Sequence, residues 1–178
     1  MNYLEIIEKY YRKDSDLYNI LISHSVDVTR KALDIVARHP ELNVDLQFIR
    51  EAAMIHDIGI LKTDAPGIQC FGKEPYLRHS VIGAELMRRE GYPKHAFVCE
   101  RHTGAGLTRD EIIDQDLPLP HMDLMPVSME EQLICFADCF FSKTKLGREK
   151  PVDDIRRKVR RFGKRSLRRF DAWVEMFL

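Results

Sequence analysis

The sequence contains no apolar run of the roughly 18–20 residues that a bilayer-spanning helix requires. Its first residues alternate acidic with basic side chains and include no apolar stretch of the kind found in signal peptides. The four cysteines form no C-x-x-C pair, and a disulfide framework would be denser in a shorter chain. We therefore expect a cytoplasmic protein with no membrane span and with reduced thiols.

The sequence also lacks internal repeats, low-complexity tracts and any long alternation of β-branched residues that would predict a strand. Apolar residues at 44% and charged residues at 31% exclude collagen-like and disordered classes. The 178 residues favour a single domain over the whole chain, 1–178, because domains typically take roughly 100–200 residues.

Apolar residues recur at helical spacing in segments that Gly and Pro separate, which predicts an all-α fold. The predicted helices lie near residues 2–12, 15–38, 45–58, 76–90, 94–103, 108–114, 128–146 and 152–176. Two of them begin with a capping box, Thr108 with Glu111 and Ser128 with Glu131. The irregular stretches 61–75 and 115–127 are long enough to wall or cover a site.

Histidine and aspartate occupy positions on apolar helix faces where hydrophobic residues are expected. These positions are His24, His56, Asp57, His79, His102 and Asp138. Each histidine alone is more often a core residue that bonds a carbonyl, and one His-Asp dipeptide is expected by chance. A buried unpaired aspartate is costly, however, and a buried histidine requires partners for both ring nitrogens. One metal centre shared between the helices would satisfy the whole set.

The other three histidines lie off the apolar faces and are not predicted to bind metal. His39 ends a helix, His95 lies in the first turn after Pro93, and His121 lies in a proline-rich loop. We expect a helix-end, a surface and a loop position, respectively. Only His121 is kept open as a site residue, because its loop could fold over the centre.

The order of these residues resembles the HD superfamily of metal-dependent phosphohydrolases. The resemblance covers about residues 18–145 and leaves the N-terminal helix 2–12 and the basic C-terminal helix 152–176 outside it. The matching segments are SHS at 23–25, HDIG at 56–59, RHSVIGAELM at 78–87, ERHTGAGLTRDE at 100–111 and FADCFFSK at 136–143. The resemblance implies a compact helical bundle with a metal centre between its helices.

The resemblance also implies two divalent transition metal ions, drawn from Fe, Mn, Co, Ni or Zn, with Mg²⁺ as a further candidate. One ion would take His24, His56, Asp57 and Asp138, and the other would take His79 and His102, with Asp57 bridging. Water activated by the metals would then attack a phosphomonoester or phosphodiester, expected to be nucleotide-like. A di-iron oxygenase and a non-catalytic regulatory module remain alternatives.

A small phosphorylated substrate requires cations near the metals. We assign Lys62, just after the HDIG turn, to catalysis and phosphate binding, and Arg78, beside His79, to phosphate binding. Arg101 and Lys143 rank below them. The turn at 104–106 could add backbone amides, or could simply end a helix.

Charge is unevenly distributed although the whole chain is neutral. Residues 143–178 carry 13 Lys and Arg against 5 Asp and Glu, whereas residues 1–142 carry 15 against 23. The basic segment could neutralise the acidic remainder of the same domain or of a second subunit, which we favour. It could instead bind nucleic acid, an anionic membrane or a calmodulin-like groove. The oligomeric state is left open.

Overall fold

The computed structural model describes all 178 residues and confirms the all-α prediction. The helices are α1 (Tyr3–Tyr10), α2 (Asp16–Arg38), α3 (Leu46–Ile55), α4 (His79–Arg89), α5 (Pro93–Arg101), α6 (Arg109–Asp114), α7 (Met129–Cys139), α8 (Val152–Val159) and α9 (Lys164–Phe177). One antiparallel pair of short strands, β1 (Asp64–Ala65) and β2 (Cys70–Phe71), lies within the first irregular stretch. None of the helices combines the length and the apolar character that a membrane crossing requires.

Side-chain caps fix the start of several helices, because the first amides of a helix have no partner within it. The predicted box at α6 is complete: Thr108 Oγ1 accepts from the Glu111 amide, and the Glu111 carboxylate accepts from the Thr108 amide. The box at α7 is only half formed. Ser128 caps the Glu131 amide, but the Glu131 carboxylate accepts from Val127 instead.

Two of the predicted helices extend past the residues at which the helices end in the structure. The segment predicted over 128–146 ends at Cys139, because the chain turns at Phe140, whose carbonyl accepts from the Lys150 amide at 2.8 Å. The segment predicted over 152–176 breaks at Gly163, where φ is +115° and a residue with a Cβ would be strained. The basic C-terminal segment is therefore two helices, α8 and α9.

Two large hydrophobic clusters and one small one form the core, and α2, α3 and α5 contribute to both large clusters. On α2, Leu21 belongs to one cluster and Val28 to the other, so His24 lies between them. On α5, one turn before His102, Cys99 belongs to the cluster of Leu21 and Val98 belongs to the cluster of Val28. The inward polar residues therefore meet where the two apolar clusters join.

The basic helix α9 buries its apolar side against α7. The Phe136 ring of α7 lies 5.5 Å from the Phe170 ring and 5.2 Å from the Phe177 ring, between centroids. Trp173 packs in the same cluster and donates its indole N–H to Gln132 at 3.0 Å. Aromatic pairs at such distances stabilise packing beyond the area that they bury.

The connection after α3 touches α4 backbone to backbone. A Cβ on Gly59 would lie 2.1 Å from the His79 carbonyl oxygen and 2.4 Å from the Gly83 amide nitrogen. Only glycine allows this approach. The contact places the end of α3, with His56 and Asp57, against the start of α4, which carries His79.

Candidate metal centre

Four histidines and two aspartates converge at the junction of the two clusters. They form two overlapping groups, within each of which the ligand atoms lie within 4.8 Å of one another. The first group is His24, His56, Asp57 and Asp138, and the second is Asp57, His79 and His102. These are the six residues that the sequence singled out, and five helical segments supply them.

Asp57 lies between the two groups and faces one with each carboxylate oxygen. Its Oδ2 lies 3.1 Å from Nε2 of His24 and 2.9 Å from Nε2 of His56. Its Oδ1 lies 3.4 Å from Nε2 of His79 and 3.4 Å from Nε2 of His102. A carboxylate placed in this way has the position of a bridging ligand.

Backbone carbonyls orient three of the four imidazoles. Nδ1 of His56 lies 2.7 Å from the Ala53 carbonyl, and Nδ1 of His79 lies 2.6 Å from the Tyr76 carbonyl. Nδ1 of His102 lies 2.7 Å from the carbonyl of Cys99. Because a carbonyl only accepts, each Nδ1 carries a proton, and each Nε2 is the ring nitrogen that faces the centre and can coordinate a metal.

The atoms that face the centre have too few hydrogen-bond partners among themselves. Nε2 of His79 and Nε2 of His102 lie 3.0 Å apart. Nε2 of His56 and Oδ1 of Asp57 are buried and have no partner in hydrogen-bonding geometry. Unpaired acceptors are expensive to bury. A cation among them removes the cost, and the mixed imidazole and carboxylate donors suit a divalent transition metal.

The ionisation of the aspartates also favours a cation. Burial raises the pKa of Asp57, but the charges of His56 and Lys143 outweigh burial and hold that pKa well below its usual range. Burial also raises the pKa of Asp138. The hydrogen bonds from His24 and His56 outweigh burial and hold that pKa well below its usual range. Burial lowers the pKa of His79 to about 3, so this imidazole is neutral at pH 7.

A cavity of about 440 Å³ opens onto the centre. Ligand sites commonly occupy about 300–1,000 Å³. Asp138, His79 and His102 lie on its wall beside Lys143 and Lys158. The apolar part of the wall comes from the hairpin, the turn before α4, the loop after α7 and the C-terminal helices. Its residues are Ile68, Tyr76, Leu77, Phe141, Ile155, Val159 and Phe162.

Lys143 is the cation that the structure places at the centre. Its Nζ lies 2.5 Å from Oδ2 of Asp57, and its side chain is 10% exposed. Burial lowers the pKa of Lys143, but the attraction of Asp57 outweighs burial, so the pKa is raised and the ammonium stays charged. From sequence, Lys143 ranked below Lys62 and Arg78, and one helix was predicted through residue 146. The helix ends at Cys139, and the turn after it brings Lys143 back to Asp57.

The cations assigned from sequence lie elsewhere. Lys62 is exposed and is not on the cavity wall. Its backbone carbonyl accepts from the amides of Lys73 and Glu74, which ties this residue to the hairpin. Arg78 forms an ion pair with Glu74 at 2.7 Å and also does not line the cavity. The structure therefore does not bring Lys62 or Arg78 to the centre.

Arg101 is held away from the cavity as well. It pairs with Glu131 at 2.9 Å and lies 4.0 Å above the Phe97 ring. Gly104 does line the cavity, with φ at +65°, and its carbonyl accepts from Cys139 at 3.1 Å. The glycine turn is thus tied to α7 beside Asp138.

The three remaining histidines lie outside both ligand groups. His121 is exposed in its loop, and His39 follows the last residue of α2, where it bonds Glu41 at 2.9 Å. The surface prediction for His95 is wrong: this residue is buried and lies 3.2 Å from Glu51. The four cysteines are free thiols, and three of them are buried.

Comparison with known families accounts for the centre. The family model described as HD domain matches residues 21–142. The chain belongs to the HD domain family. This HD domain contains all six converging residues, and together they fit a metal-dependent phosphohydrolase at the level of the family.

Three curated relatives are similar to this chain over most of its length. A Methanocaldococcus jannaschii protein named uncharacterized protein MJ0778 is 32% identical over 148 residues, which is 82% of this chain and 76% of that protein. A Thermoplasma volcanium tRNA (cytidine(56)-2'-O)-methyltransferase is 31% identical over 87% of this chain. Its Picrophilus torridus counterpart is 28% identical over 82% of this chain. The match spans only 40% and 41% of the two methyltransferases. No solved structure gives a significant match.

Proposed function

We propose that this protein hydrolyses a nucleotide-like phosphate ester with the help of two divalent metal ions. The observation that carries the proposal is the cavity that ends on Asp138, His79 and His102, with the buried ammonium of Lys143 beside them. An anionic group that enters the cavity meets metal ligands and a fixed positive charge together. Phosphate is the ester group that this combination suits.

The two ligand groups give each residue a role in holding the ions. His24, His56, Asp57 and Asp138 would hold one ion, and His79 and His102 would hold the second, with Asp57 shared. Two divalent ions, when bound, supply Lewis acidity and lower the pKa of water towards neutrality. The carbonyls behind His56, His79 and His102 keep the imidazoles in the tautomer that coordinates.

The other residues of the cavity would orient the substrate and the water. Asp138 is ionised and, at 20% exposed, is the most accessible of the six side chains, so it can accept a hydrogen bond from an attacking water. In hydrolysis, the water oxygen bonds phosphorus, the ester P–O bond breaks, and the leaving oxygen takes up a proton. Lys143 would neutralise phosphate oxygens during this step. The aromatic and aliphatic walls would hold the organic part of the ester.

The relatives support a nucleotide or polynucleotide over a sugar phosphate. Two proteins whose names state tRNA as their substrate contain a segment similar to this chain. The match spans about two fifths of each, so the methyl transfer that those names state is not proposed for this protein.

Metal content followed by a substrate panel tests the proposal. We expect about two transition metal ions per chain by element-resolved mass spectrometry, since the ligand set has two groups. The loaded protein should then hydrolyse nucleoside monophosphates or a chromogenic phosphodiester faster than sugar phosphates. Full metal content without hydrolysis of any ester would contradict the proposal. Iron as the dominant element, with oxygen consumption, would favour the di-iron oxygenase alternative.

A further inference from the structure

The C-terminal helices carry positive charge that the rest of the chain does not neutralise. Close ion pairs within the protein account for three arginines of this segment, which are Arg156, Arg157 and Arg169. Five other cations are exposed and have no carboxylate oxygen within 4.0 Å. We call these residues the basic surface: Lys158, Arg160, Arg161, Lys164 and Arg168. Intramolecular neutralisation, which we favoured from sequence, therefore explains only part of the segment.

The basic surface adjoins the cavity of the metal centre. Lys158 lies on the cavity wall, next to Val159 and Phe162. Phe162 also lines a neighbouring hollow, in which Lys164 and Arg165 form one side. Asp110, Glu111 and Asp114 of α6 also line that hollow, and Arg165 lies 3.9 Å from Asp110, so Arg165 is not counted in the basic surface. Positive charge thus runs from the cavity outward along the start of α9.

The packing of α8 and α9 excludes a lipid surface as the ligand of these cations. A helix that lies on a membrane inserts its apolar side between the lipids. Five large apolar side chains of these helices are buried in the core instead, and they are Ile155, Val159, Phe170, Trp173 and Phe177. The exposed side of these helices is mainly charged, and repeated unpaired cations match a repeated anion.

We propose that the basic surface binds a single-stranded nucleic acid, and that the terminal phosphate of this strand is the ester that enters the cavity. The inference rests on the proposed hydrolase and names its substrate class. Successive backbone phosphates would lie on the basic surface, and Phe162, partly exposed at the cavity, offers a ring on which an unpaired base stacks. Hydrolysis would leave a strand with a terminal hydroxyl and release inorganic phosphate.

Charge reversal of the basic surface tests the binding step. The variant carries Arg160→Glu, Arg161→Glu and Arg168→Glu and leaves the cavity residue Lys158 in place. Fluorescence anisotropy measures its affinity for a single-stranded RNA of about 12 nucleotides. We expect affinity to fall by about tenfold or more, and the slope of log affinity against log salt to decrease by about 2 for three lost phosphate contacts. If the triple variant unfolds, the three matching Arg→Gln changes provide the test.

A matched control changes the net charge by the same amount at a different place. It replaces three exposed arginines that lie outside the basic surface and that have no carboxylate partner. These changes are Arg12→Glu, Arg38→Glu and Arg89→Glu. We expect the control to bind RNA like the unchanged protein, and both variants to hydrolyse a small chromogenic phosphate ester at the unchanged rate. Equal loss of RNA affinity in the two variants would overturn the inference, as would unchanged affinity in the basic-surface variant.

Further ligands separate this inference from the proposed function. Single-stranded DNA of the same sequence distinguishes RNA from any single strand, and preferred binding of a duplex or of anionic vesicles would overturn the inference. A protein that hydrolyses small phosphate esters but binds no strand contradicts only the inference. A protein that binds strands through the basic surface but hydrolyses no ester contradicts the hydrolase.

Discussion

At the scale of single residues, the centre depends on one carboxylate. Asp57 is fully buried, and its two oxygens face four imidazoles from different helices. No other residue belongs to both ligand groups. Removal of this carboxylate therefore affects both proposed ions, whereas removal of any other ligand affects one.

We expect Asp57→Ala to lose metal and activity together. Metal content should fall to near zero, and hydrolysis should fall by more than about 100-fold, which exceeds the effect of losing a group that only supports a ligand. His121→Ala is the matched control, because this histidine is exposed in a loop. Normal metal content in Asp57→Ala, or metal loss in His121→Ala, would contradict the ligand assignment. Elemental analysis of both purified variants measures the outcome.

Lys143 has a role that can be separated from metal binding. We expect Lys143→Met to keep its metal but to lower kcat/KM for a phosphate ester by about 10-fold to 100-fold, because a charged contact to phosphate is lost. Lys62→Met is the control, since Lys62 is exposed and away from the cavity. An equal fall of kcat/KM in the two variants would contradict the assignment of phosphate binding to Lys143.

The sequence predicted the six converging residues better than it predicted the residues around them. A polar residue on an apolar helix face conflicts with its neighbours, so spacing marked one residue on each of five helices, and the HD resemblance added the ligand roles and Asp57 as the bridge. Lys143 gave no such signal, because Phe140 and Phe141 continue the apolar pattern of α7 past its actual end. His95 was misplaced because its partner, Glu51, lies 44 positions away in sequence. Long-range pairs of this kind leave no local pattern.

At the scale of elements, the contact between the end of α3 and the start of α4 fixes the two ligand groups relative to each other. We expect Gly59→Ala to lower the free energy of unfolding by about 3 kcal/mol and to reduce metal content, because its Cβ would overlap backbone atoms of α4. Gly67→Ala should change stability by less than about 0.5 kcal/mol, since no atom lies within 4 Å of its Cβ position. Urea unfolding of both variants measures the difference, and similar midpoints would show that the contact is unimportant.

A second element-scale feature is the loop after α7, which carries Lys143. Asp27 of α2 accepts from the Gly147 amide at 2.9 Å, and Lys31 pairs with Glu149 at 2.7 Å. Both contacts hold this loop on α2, so the position of Lys143 depends on a helix that it does not belong to.

We expect Asp27→Ala to lower kcat/KM about tenfold with metal content unchanged, because the loop loses a charge-assisted hydrogen bond. Asp34→Ala, on the same helix but exposed, should leave kcat/KM unchanged. Steady-state kinetics on one phosphate ester compares them. Loss of metal in Asp27→Ala would show instead that Asp27 supports α2 and His24.

At the scale of the whole molecule, proton and metal compete for the same buried atoms. Burial lowers the pKa of His56, but Asp57 and Asp138 outweigh burial and raise it to about 10, from 6.5 in the unfolded chain. A raised pKa in the folded state contributes stability that is full below pH 6.5 and is lost as pH rises towards 10. His79 acts in the opposite direction, because its pKa of about 3 makes the folded protein lose stability as pH falls below 6.5.

The chelated protein should therefore be most stable near pH 6.5, and its urea midpoint should fall towards about pH 9 and towards about pH 4. The metal-loaded protein should not show the alkaline fall, since a metal on Nε2 of His56 replaces the proton. Urea midpoints with and without chelator, measured across this range, test the difference. The same alkaline slope in both forms would show that metal does not bind His56.

The distance in sequence between the ligands has a consequence for the order in which the protein matures. His24 and Asp138 meet across 114 positions, so the centre is complete only after α2 and α7 have docked. Closing so long a loop is a late and entropically costly event in folding. The ion pair between Lys143 and Asp57, at 2.5 Å, depends on the same docking, because the loop that carries Lys143 follows α7.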